Sequence, residues 1–139
     1  MEFSQRIVLI TGASNGIGRQ LAIDLAKRRA VVIGCGRSIE RLREVLKELR
    51  QWSPNAAMMG CDVSDNEQVQ AMIEKILADF GRVDILVNNA GIGMRQPFAD
   101  TPLATVEEII QTNYLGAVYC THALLPSMIE RGAGHIVNI

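Results

Sequence analysis

Three glycines near the start of the chain, Gly12, Gly16 and Gly18, are spaced so that their backbone could bind phosphate groups. They follow a short apolar run that is typical of a strand, and they open a segment of helical period. Gly12 allows a tight turn, Gly16 leaves the backbone open to a pyrophosphate, and Gly18 lets the helix lie close to the sheet. Unpaired N–H groups at the helix start attract anions. A flexible connection is the alternative, but the position between strand and helix favours a phosphate-binding loop of Gly12, Ser14, Asn15, Gly16, Ile17 and Gly18.

The end of the second predicted strand carries a basic residue where NAD-binding folds tend to place an acidic one. Cys35-Gly36-Arg37-Ser38 stands about 20 residues past the glycines, so no carboxylate there would repel a ribose 2′-phosphate. Arg37 could hold that phosphate through charge-assisted hydrogen bonds, with Ser38 beside it. We therefore expect NADP(H) rather than NAD(H) as the cofactor. The alternative is that Ser38 only caps the following helix and that Arg37 is solvated.

Polar residues also follow the third and fourth predicted strands, at the sheet edge where ligands bind in folds of this kind. Asp62 closes the third strand and could form an Asx turn. Asn88 and Asn89 end the fourth strand, and two amides in that position need hydrogen-bond partners. Asn113 lies seven residues after Val106, which predicts a core-facing helical position for a satisfied amide.

The strands that position these residues are short runs rich in β-branched side chains. They are predicted at residues 7–10, 30–33, 56–61, 85–87 and 136–139. Helical periodicity fills the intervals between them. The order β-α-β-α-β-α-β-α-β requires parallel strands, because each crossover contains a helix, and both sheet faces must then be covered. The sequence therefore predicts an α/β fold, a Rossmann-type doubly wound parallel sheet with helices on both faces.

The helix boundaries are predicted from capping residues and glycines. Ser64-x-x-Glu67 predicts a capping box at the start of the third helix, and Gly81 predicts its end. Thr101-Pro102 and Thr105-x-x-Glu108 are alternative starts for the last helix. Pro126 is expected to bend this helix, and Gly132 to end it.

Composition and charge narrow the classes of protein. Fourteen basic and fifteen acidic residues leave a net charge of -1, which gives no electrostatic reason to expect nucleic acid or an anionic membrane as a partner. The cysteines Cys35, Cys61 and Cys120 form no CxxC pair, so we expect a cytoplasmic protein without a disulfide framework or zinc site. His122 and His135 lack metal-ligand spacing, and no metal is expected.

Four motifs together resemble the classical short-chain dehydrogenase/reductase family, and they extend over the whole chain in the family's order and spacing. They are TGASNGIG at 11–18, Asp62-Val63, Asn88-Asn89-Ala90-Gly91 and Asn113-Tyr114-Leu115-Gly116.

The resemblance implies a role for each motif. Asp62 would accept a hydrogen bond from the adenine amino group, and the Val63 backbone would line the adenine pocket. Asn88 would be structural, whereas Asn89 would contact the cofactor where Ala90-Gly91 borders the ribose of the nicotinamide half. The asparagine that matches Asn113 bends its helix in the family and holds a water in a proton relay, which makes Asn113 the candidate catalytic residue.

The resemblance further implies an oxidoreductase that transfers a hydride between NADP(H) and an alcohol or carbonyl substrate. In the family a serine after the fifth strand and a YxxxK pair on the next helix complete the proton transfer. The sequence given ends at Ile139, and neither Tyr114 nor Tyr119 is followed by lysine four residues on. We therefore expect residues 1–139 to be a single dinucleotide-binding domain that is incomplete at its C-terminal end and inactive alone.

Two other functions stay open at this point. A non-enzymatic dinucleotide-sensing domain would share the glycine loop and lack YxxxK. An S-adenosylmethionine methyltransferase is disfavoured, because no acid follows the second strand and because of the Asn-Asn-Ala-Gly motif. The helix from Val106 to Arg131 resembles one that joins subunits in a helical bundle, so the parent enzyme is expected to be a homo-oligomer. Arg29 stands where the family usually has glycine, and only local adjustment is expected there.

Overall fold

The computed structural model describes residues 2–139. Its strands are β1 (Ile7–Thr11), β2 (Val31–Gly36), β3 (Ala57–Gly60), β4 (Ile85–Asn88) and β5 (His135–Asn138). Its helices are α1 (Gly16–Lys27), α2 (Ile39–Leu49), α3 (Asn66–Phe80), α4 (Leu103–Ile110) and α5 (Gly116–Arg131). A π-helical segment (Gln111–Leu115) joins α4 to α5, and a 3₁₀ turn (Phe98–Asp100) precedes α4.

All five strands of the sheet are parallel, in the order β3-β2-β1-β4-β5. Leu9 in β1 pairs with Ile33 of β2 on one side and with Leu86 of β4 on the other. The winding direction therefore reverses between β1 and β4, and a crevice opens there beyond the carboxyl ends of the strands. The predicted doubly wound parallel sheet is confirmed.

The core divides into one apolar cluster on each face of the sheet. On one face, Val8, Ile10 and Val32 pack against α1 and α2, represented by Ala22 and Leu49. On the opposite face, strand residues alternate inward to meet α3 and α5, in a cluster that includes Leu9, Ile33, Leu86, Ile73, Ile76 and Leu124. Helices therefore cover both faces of the sheet, as predicted.

The predicted bounds of all five strands are wrong by one to three residues. The first and fourth strands each extend one residue further than predicted, to Thr11 and Asn88. The second strand is shifted from 30–33 to Val31–Gly36, the third is shortened from 56–61 to Ala57–Gly60, and the fifth lies one residue earlier than predicted. Gly34 and Gly36 weaken the local strand signal of β2. Pairing across the sheet overrides it, because Cys35 lies between Thr11 of β1 and Met59 of β3.

The predicted capping box at the start of α3 is also wrong. Asp65, one residue later than Ser64, caps the helix by accepting hydrogen bonds from the Glu67 amide at 3.0 Å and the Gln68 amide at 3.2 Å. The Ser64 hydroxyl instead donates to Asp62 at 2.7 Å. A carboxylate at the N-cap also interacts favourably with the helix dipole. The C-terminal stops are as predicted, with Gly81 and Gly132 both left-handed.

Asp84 fastens the start of β4 to its neighbours. Its buried carboxylate accepts hydrogen bonds from the Ile7 amide at 2.9 Å and from Arg82 Nε at 3.0 Å, and Arg131 Nη1 lies 3.4 Å away. Burial opposes ionisation of this carboxyl, but the hydrogen bonds and the arginine charges outweigh burial and lower the pKa of Asp84. The charge is therefore retained at neutral pH and ties β4 to β1 and α5.

Arg29, at the turn between α1 and β2, has a φ of 65°, the left-handed region that disfavours side chains with a Cβ atom. The turn is closed by hydrogen bonds from the Arg29 amide to the Ala26 carbonyl at 2.8 Å and from the Gln5 amide to the Arg29 carbonyl at 3.0 Å. The expected local adjustment is thus a strained backbone at a position where glycine would fit without strain.

The last helical region starts directly after Pro102, so the first of its two predicted starts, Thr101-Pro102, is the one used. Pro126 lies inside α5, which continues to Arg131, and the irregular backbone occurs earlier, in the π-helical segment. Within residues 2–139, no helix combines the length and the apolar character needed to cross a bilayer.

Candidate functional site

The glycine loop lies in the crevice between β1 and β4, and two of its glycines have no room for a side chain. Gly12 has a φ of 67°, and a Cβ there would lie 2.8 Å from the Ala90 Cα. A Cβ on Gly18 would collide with the Gly12 carbonyl and the Asn89 side chain. Gly16, at a φ of 54°, instead faces open space, because a Cβ there would meet no atom within 4 Å apart from those of its own neighbours in the chain. The loop is tight where it meets the sheet and open where an anion would approach the start of α1.

A second loop, which follows β4, is bonded directly to the glycine loop. The Thr11 hydroxyl accepts hydrogen bonds from the amides of Asn89 at 3.0 Å and Ala90 at 2.9 Å. In return the Asn89 side-chain amide donates to the carbonyls of Thr11 at 3.0 Å and Gly12 at 3.2 Å. These four hydrogen bonds fix the two sides of the crevice relative to each other.

A cavity of about 240 Å³ extends from the glycine loop along the carboxyl edge of β2 and β3. Nine of the predicted site residues line it: Gly12, Ser14, Asn15, Arg37, Ser38, Asp62, Val63, Ala90 and Gly91. Five others do not, namely Gly16, Ile17, Gly18, Asn89 and Asn113. A neighbouring cavity of about 100 Å³ has Asn89 and Asn113 in its lining, together with Ala90 and Gly91. The structure therefore gathers the predicted residues at one edge of the sheet.

One end of the larger cavity is basic. Arg37 and Arg41 line it beside the hydroxyls of Ser14 and Ser38, and neither guanidinium makes an ion pair with any residue in the range 2–139. Ser38 caps α2 by accepting from the Arg41 amide at 3.4 Å, as the alternative interpretation of this residue expected. Its hydroxyl proton stays available for a ligand. Arg41 is not among the residues predicted from the sequence. The sequence signal that could have identified it is Ser38, because an N-cap at Ser38 places Arg41 in the first turn of α2.

Asp62 also lines the cavity, two residues after the end of β3. Its Oδ1 atom accepts from the Ser64 amide at 3.0 Å and from the Ser64 hydroxyl at 2.7 Å, which is the Asx turn expected from the sequence. The Asp62 amide donates to Gln68 Oε1 at 3.0 Å. The other carboxylate oxygen, Oδ2, makes no hydrogen bond within the described part of the chain, so it can accept one from a ligand.

Asn88 links three elements beneath the site. Its buried side-chain amide donates to Asn138 Oδ1 of β5 at 2.8 Å and to Thr121 Oγ1 of α5 at 3.1 Å. The Asn88 Oδ1 atom is buried and has no partner among residues 2–139. These contacts hold β4, β5 and α5 in register below the crevice.

The expected core-facing position of Asn113 is wrong. Asn113 is exposed, and the buried residue of the π-helical segment is its neighbour Thr112, at 8% exposure. A π-helical turn contains more residues than an α-helical turn, so it breaks the seven-residue spacing from Val106. The Asn113 side chain instead holds Ile92 after β4, accepting from its amide at 2.8 Å and donating to its carbonyl at 2.9 Å.

The three cysteines are buried, and one of them borders the larger cavity. Interaction between the Cys35 and Cys61 thiols, together with burial, raises the pKa of Cys35, whereas the same interaction lowers the pKa of Cys61. Burial raises the pKa of the Cys120 thiol to about 12. Only Cys61 of the three lines the cavity. No group of three potential ligands within residues 2–139 is arranged to hold a metal ion.

Comparison with known proteins gives matches over nearly the whole chain. Residues 6–139 match the family model described as short chain dehydrogenase. The ketoacyl reductase HetN of Nostoc sp. is 40% identical over 134 residues, which cover 96% of this chain and 47% of that protein. The chain spans about half the length of the curated relatives it matches.

Solved structures match the fold closely. An NAD⁺-bound xylitol dehydrogenase superposes with a TM-score of 0.94 and 30% identity, covering 99% of this chain and 54% of the other. A metagenomic short-chain oxidoreductase in complex with NADP gives a TM-score of 0.91 and 34% identity, covering 99% of this chain and 63% of the other. Structures of this fold therefore include complexes with either dinucleotide.

Proposed function

Since the chain belongs to the short-chain dehydrogenase family, we propose that it binds NADP(H) and carries the cofactor-binding part of an oxidoreductase. The whole protein would interconvert an alcohol and a carbonyl compound of low molecular weight. The bound nicotinamide would supply or receive the hydride. Membership of an oxidoreductase family does not favour the alternative of a non-enzymatic sensing domain.

The observation that carries the proposal is the basic end of the larger cavity. Two guanidiniums without ion-pair partners in the described chain, those of Arg37 and Arg41, stand beside two hydroxyls, those of Ser14 and Ser38. No acidic side chain stands at the end of β2 to repel a 2′-phosphate. A phosphate monoester on the ribose would meet charge-assisted donors from both arginines, whereas a ribose hydroxyl would leave them without a charged partner.

The remaining residues fit the rest of a dinucleotide. The open face at Gly16 and the start of α1 would receive the diphosphate, with Ser14, Asn15, Ile17 and Gly18 around it. Asp62 would accept from the adenine amino group through its unbonded Oδ2 atom, beside the Val63 backbone. Both Nδ2 protons of Asn89 are used within the fold, so its Oδ1 atom would accept from the nicotinamide ribose.

Asn113 would contribute to proton transfer from its place beside Ala90 and Gly91. One hydrogen bond to Ile92 from each end of its amide orients the side chain. A lone pair on Oδ1 and a proton on Nδ2 remain, and they would hold the water of a proton relay.

Homo-oligomerisation through the last helical region belongs to the same proposal, as does a cytoplasmic location. Large apolar side chains along α4, the π-helical segment and α5 are exposed to solvent, which supports an interface there: Leu103, Tyr114, Val118, Leu125 and Ile129.

The test compares dissociation constants for NADPH and NADH in the wild type, in Arg37→Ala and in Arg41→Ala. Loss of a hydrogen bond to a charged group costs about 1.5–3 kcal/mol, so each variant should bind NADPH about 10- to 100-fold more weakly. Binding of NADH should change little, because it lacks the phosphate. Arg43→Ala is the matched control, since Arg43 is exposed on α2 outside the cavity.

Tighter binding of NADH than of NADPH by the wild type would contradict the NADP(H) assignment. So would an equal loss of affinity for both dinucleotides in Arg37→Ala and Arg41→Ala. Binding of neither dinucleotide would contradict the proposed function as a whole.

A further inference from the structure

The π-helical segment between α4 and α5 contacts both loops that border the larger cavity. At one point Asn113 holds Ile92, in the loop after β4. Two residues earlier, Gln111 donates from Nε2 to the Ser64 carbonyl at 3.0 Å, in the loop after β3. Thr112, between these two residues, is buried and lines the cavity itself.

The Gln111 contact reaches Asp62 through a single intermediate residue. Ser64 is held at its carbonyl by Gln111 and donates to Asp62 Oδ1 from both its amide and its hydroxyl. These two bonds hold the Oδ1 atom of Asp62, and Oδ2 has no hydrogen bond within residues 2–139. A shift of the Ser64 backbone would therefore rotate or displace that carboxylate.

Packing holds the same loop from a second direction. Gly116, at the start of α5, lies against Val63 so closely that a Cβ on the glycine would be 3.2 Å from the Val63 carbonyl oxygen. The second proton of Gln111 Nε2 is also used, since it is donated to the Tyr119 hydroxyl at 3.0 Å. Gln111 is therefore locked between α5 and the loop, and its amide cannot turn away from Ser64 without losing a partner.

We propose that Gln111 is a positioning residue that sets the adenine selectivity of the cavity by fixing Ser64, and through it Asp62. This inference rests on the proposed function, because it concerns the base of the bound dinucleotide. Gln111 itself touches no ligand in this arrangement. Its effect should fall on discrimination at the amino group of the base rather than on the phosphates.

The experiment measures dissociation constants for NADPH and for its purine analogue, in which a hydrogen atom replaces the amino group. In the wild type, Asp62 should accept from the amino group, which the analogue lacks, so adenine should be favoured by about tenfold or more. In Gln111→Met this ratio should fall at least about threefold. Gln70→Met is the matched control, because the Gln70 side chain donates to Asn66 on α3, away from the cavity.

Gln111→Glu provides a second variant of nearly unchanged volume. The Tyr119 hydroxyl can still donate to the new carboxylate, whereas the bond to the Ser64 carbonyl is lost, so the base selectivity should fall as in Gln111→Met. A merely structural role would weaken both dinucleotides equally and leave the ratio unchanged.

The outcomes separate this inference from the proposed function. An unchanged ratio in both Gln111 variants, with NADPH bound normally by the wild type, overturns the role of Gln111 alone. A wild type that binds both analogues equally overturns the contact between Asp62 and the base, and the role of Gln111 with it. A wild type that binds neither analogue contradicts the proposed function itself.

Discussion

Replacing Arg29 by glycine should make the protein more stable, although the substitution removes a large side chain. The left-handed conformation of Arg29 costs a residue with a Cβ atom about 1–2 kcal/mol relative to its preferred regions. Glycine avoids this cost but loses more backbone freedom on folding, which offsets about 0.5–1 kcal/mol. The net expectation for Arg29→Gly is a gain of about 0.5–1 kcal/mol in the free energy of unfolding.

The assay is urea unfolding together with thermal unfolding, each followed by circular dichroism. For a chain of this size the gain corresponds to a rise of about 2–4 °C in Tm. Arg28→Gly is the matched control: Arg28 also lies at the end of α1 and is exposed, but its φ of -87° suits any residue. That variant should lose about 0.5–1 kcal/mol, because it gains glycine's flexibility without relieving strain. Its guanidinium also stacks 5.8 Å from the Phe3 ring centroid, and that contact would be lost.

The reasoning fails if Arg29→Gly destabilises the protein as much as Arg28→Gly does. That result would mean that the Arg29 side chain makes contacts worth more than the strain in its backbone. A gain of equal size in both variants would also refute it, since the benefit would then follow from less repulsion among the neighbouring charges of Lys27, Arg28 and Arg29 rather than from φ.

Asp84 and Cys61 provide two further predictions. Because the folded pKa of Asp84 lies below its unfolded value, the ionised carboxylate stabilises the fold above the unfolded pKa of about 4, and this contribution is lost as the pH falls through the folded pKa. Asp84→Asn should therefore be less stable at neutral pH and should flatten the fall in unfolding free energy on acidification. The control Asp79→Asn removes an exposed ion pair with Lys75 on α3 and should lower the stability by at most about 0.5 kcal/mol. Identical curves for the wild type and Asp84→Asn would refute this. Iodoacetamide should modify Cys61 before Cys120, because Cys61 lines the cavity and has a lowered pKa. Burial, in contrast, raises the pKa of Cys120 to about 12. Mass spectrometry after limited labelling would show the order of modification. Faster labelling of Cys120 would contradict this order.

The fold class can be predicted from local patterns in the sequence. Apolar runs such as Ile7-Val8-Leu9-Ile10 are too short for helices, and the helices between the strands leave parallel pairing as the only option. Boundaries were less predictable, because β2 extends through two glycines only by pairing with β1 and β3. A strand that is stabilised by distant partners carries a weak local signal.

The candidate site was predictable where it depends on backbone and on charge. Gly12 and Arg37 are identified by residue type and by position after a strand, and the structure places both at one cavity. The face predicted for Asn113 is wrong because no residue pattern indicates a π-helical turn. Gln111 was missed for a related reason, since its partners Ser64 and Tyr119 become neighbours only through the packing of α5 against the loop after β3.

The side chain of Thr11 affects ligand binding as well as the architecture of the site. The Thr11 hydroxyl accepts from two consecutive amides of the loop after β4, and it thereby holds that loop and the glycine loop in one fixed arrangement. The conformational entropy of both loops is therefore lost when the protein folds, and ligand binding costs little further loop entropy. The affinity of this crevice for a ligand therefore depends mainly on the contacts that the ligand makes, because the entropy cost of ordering the two loops around it is small.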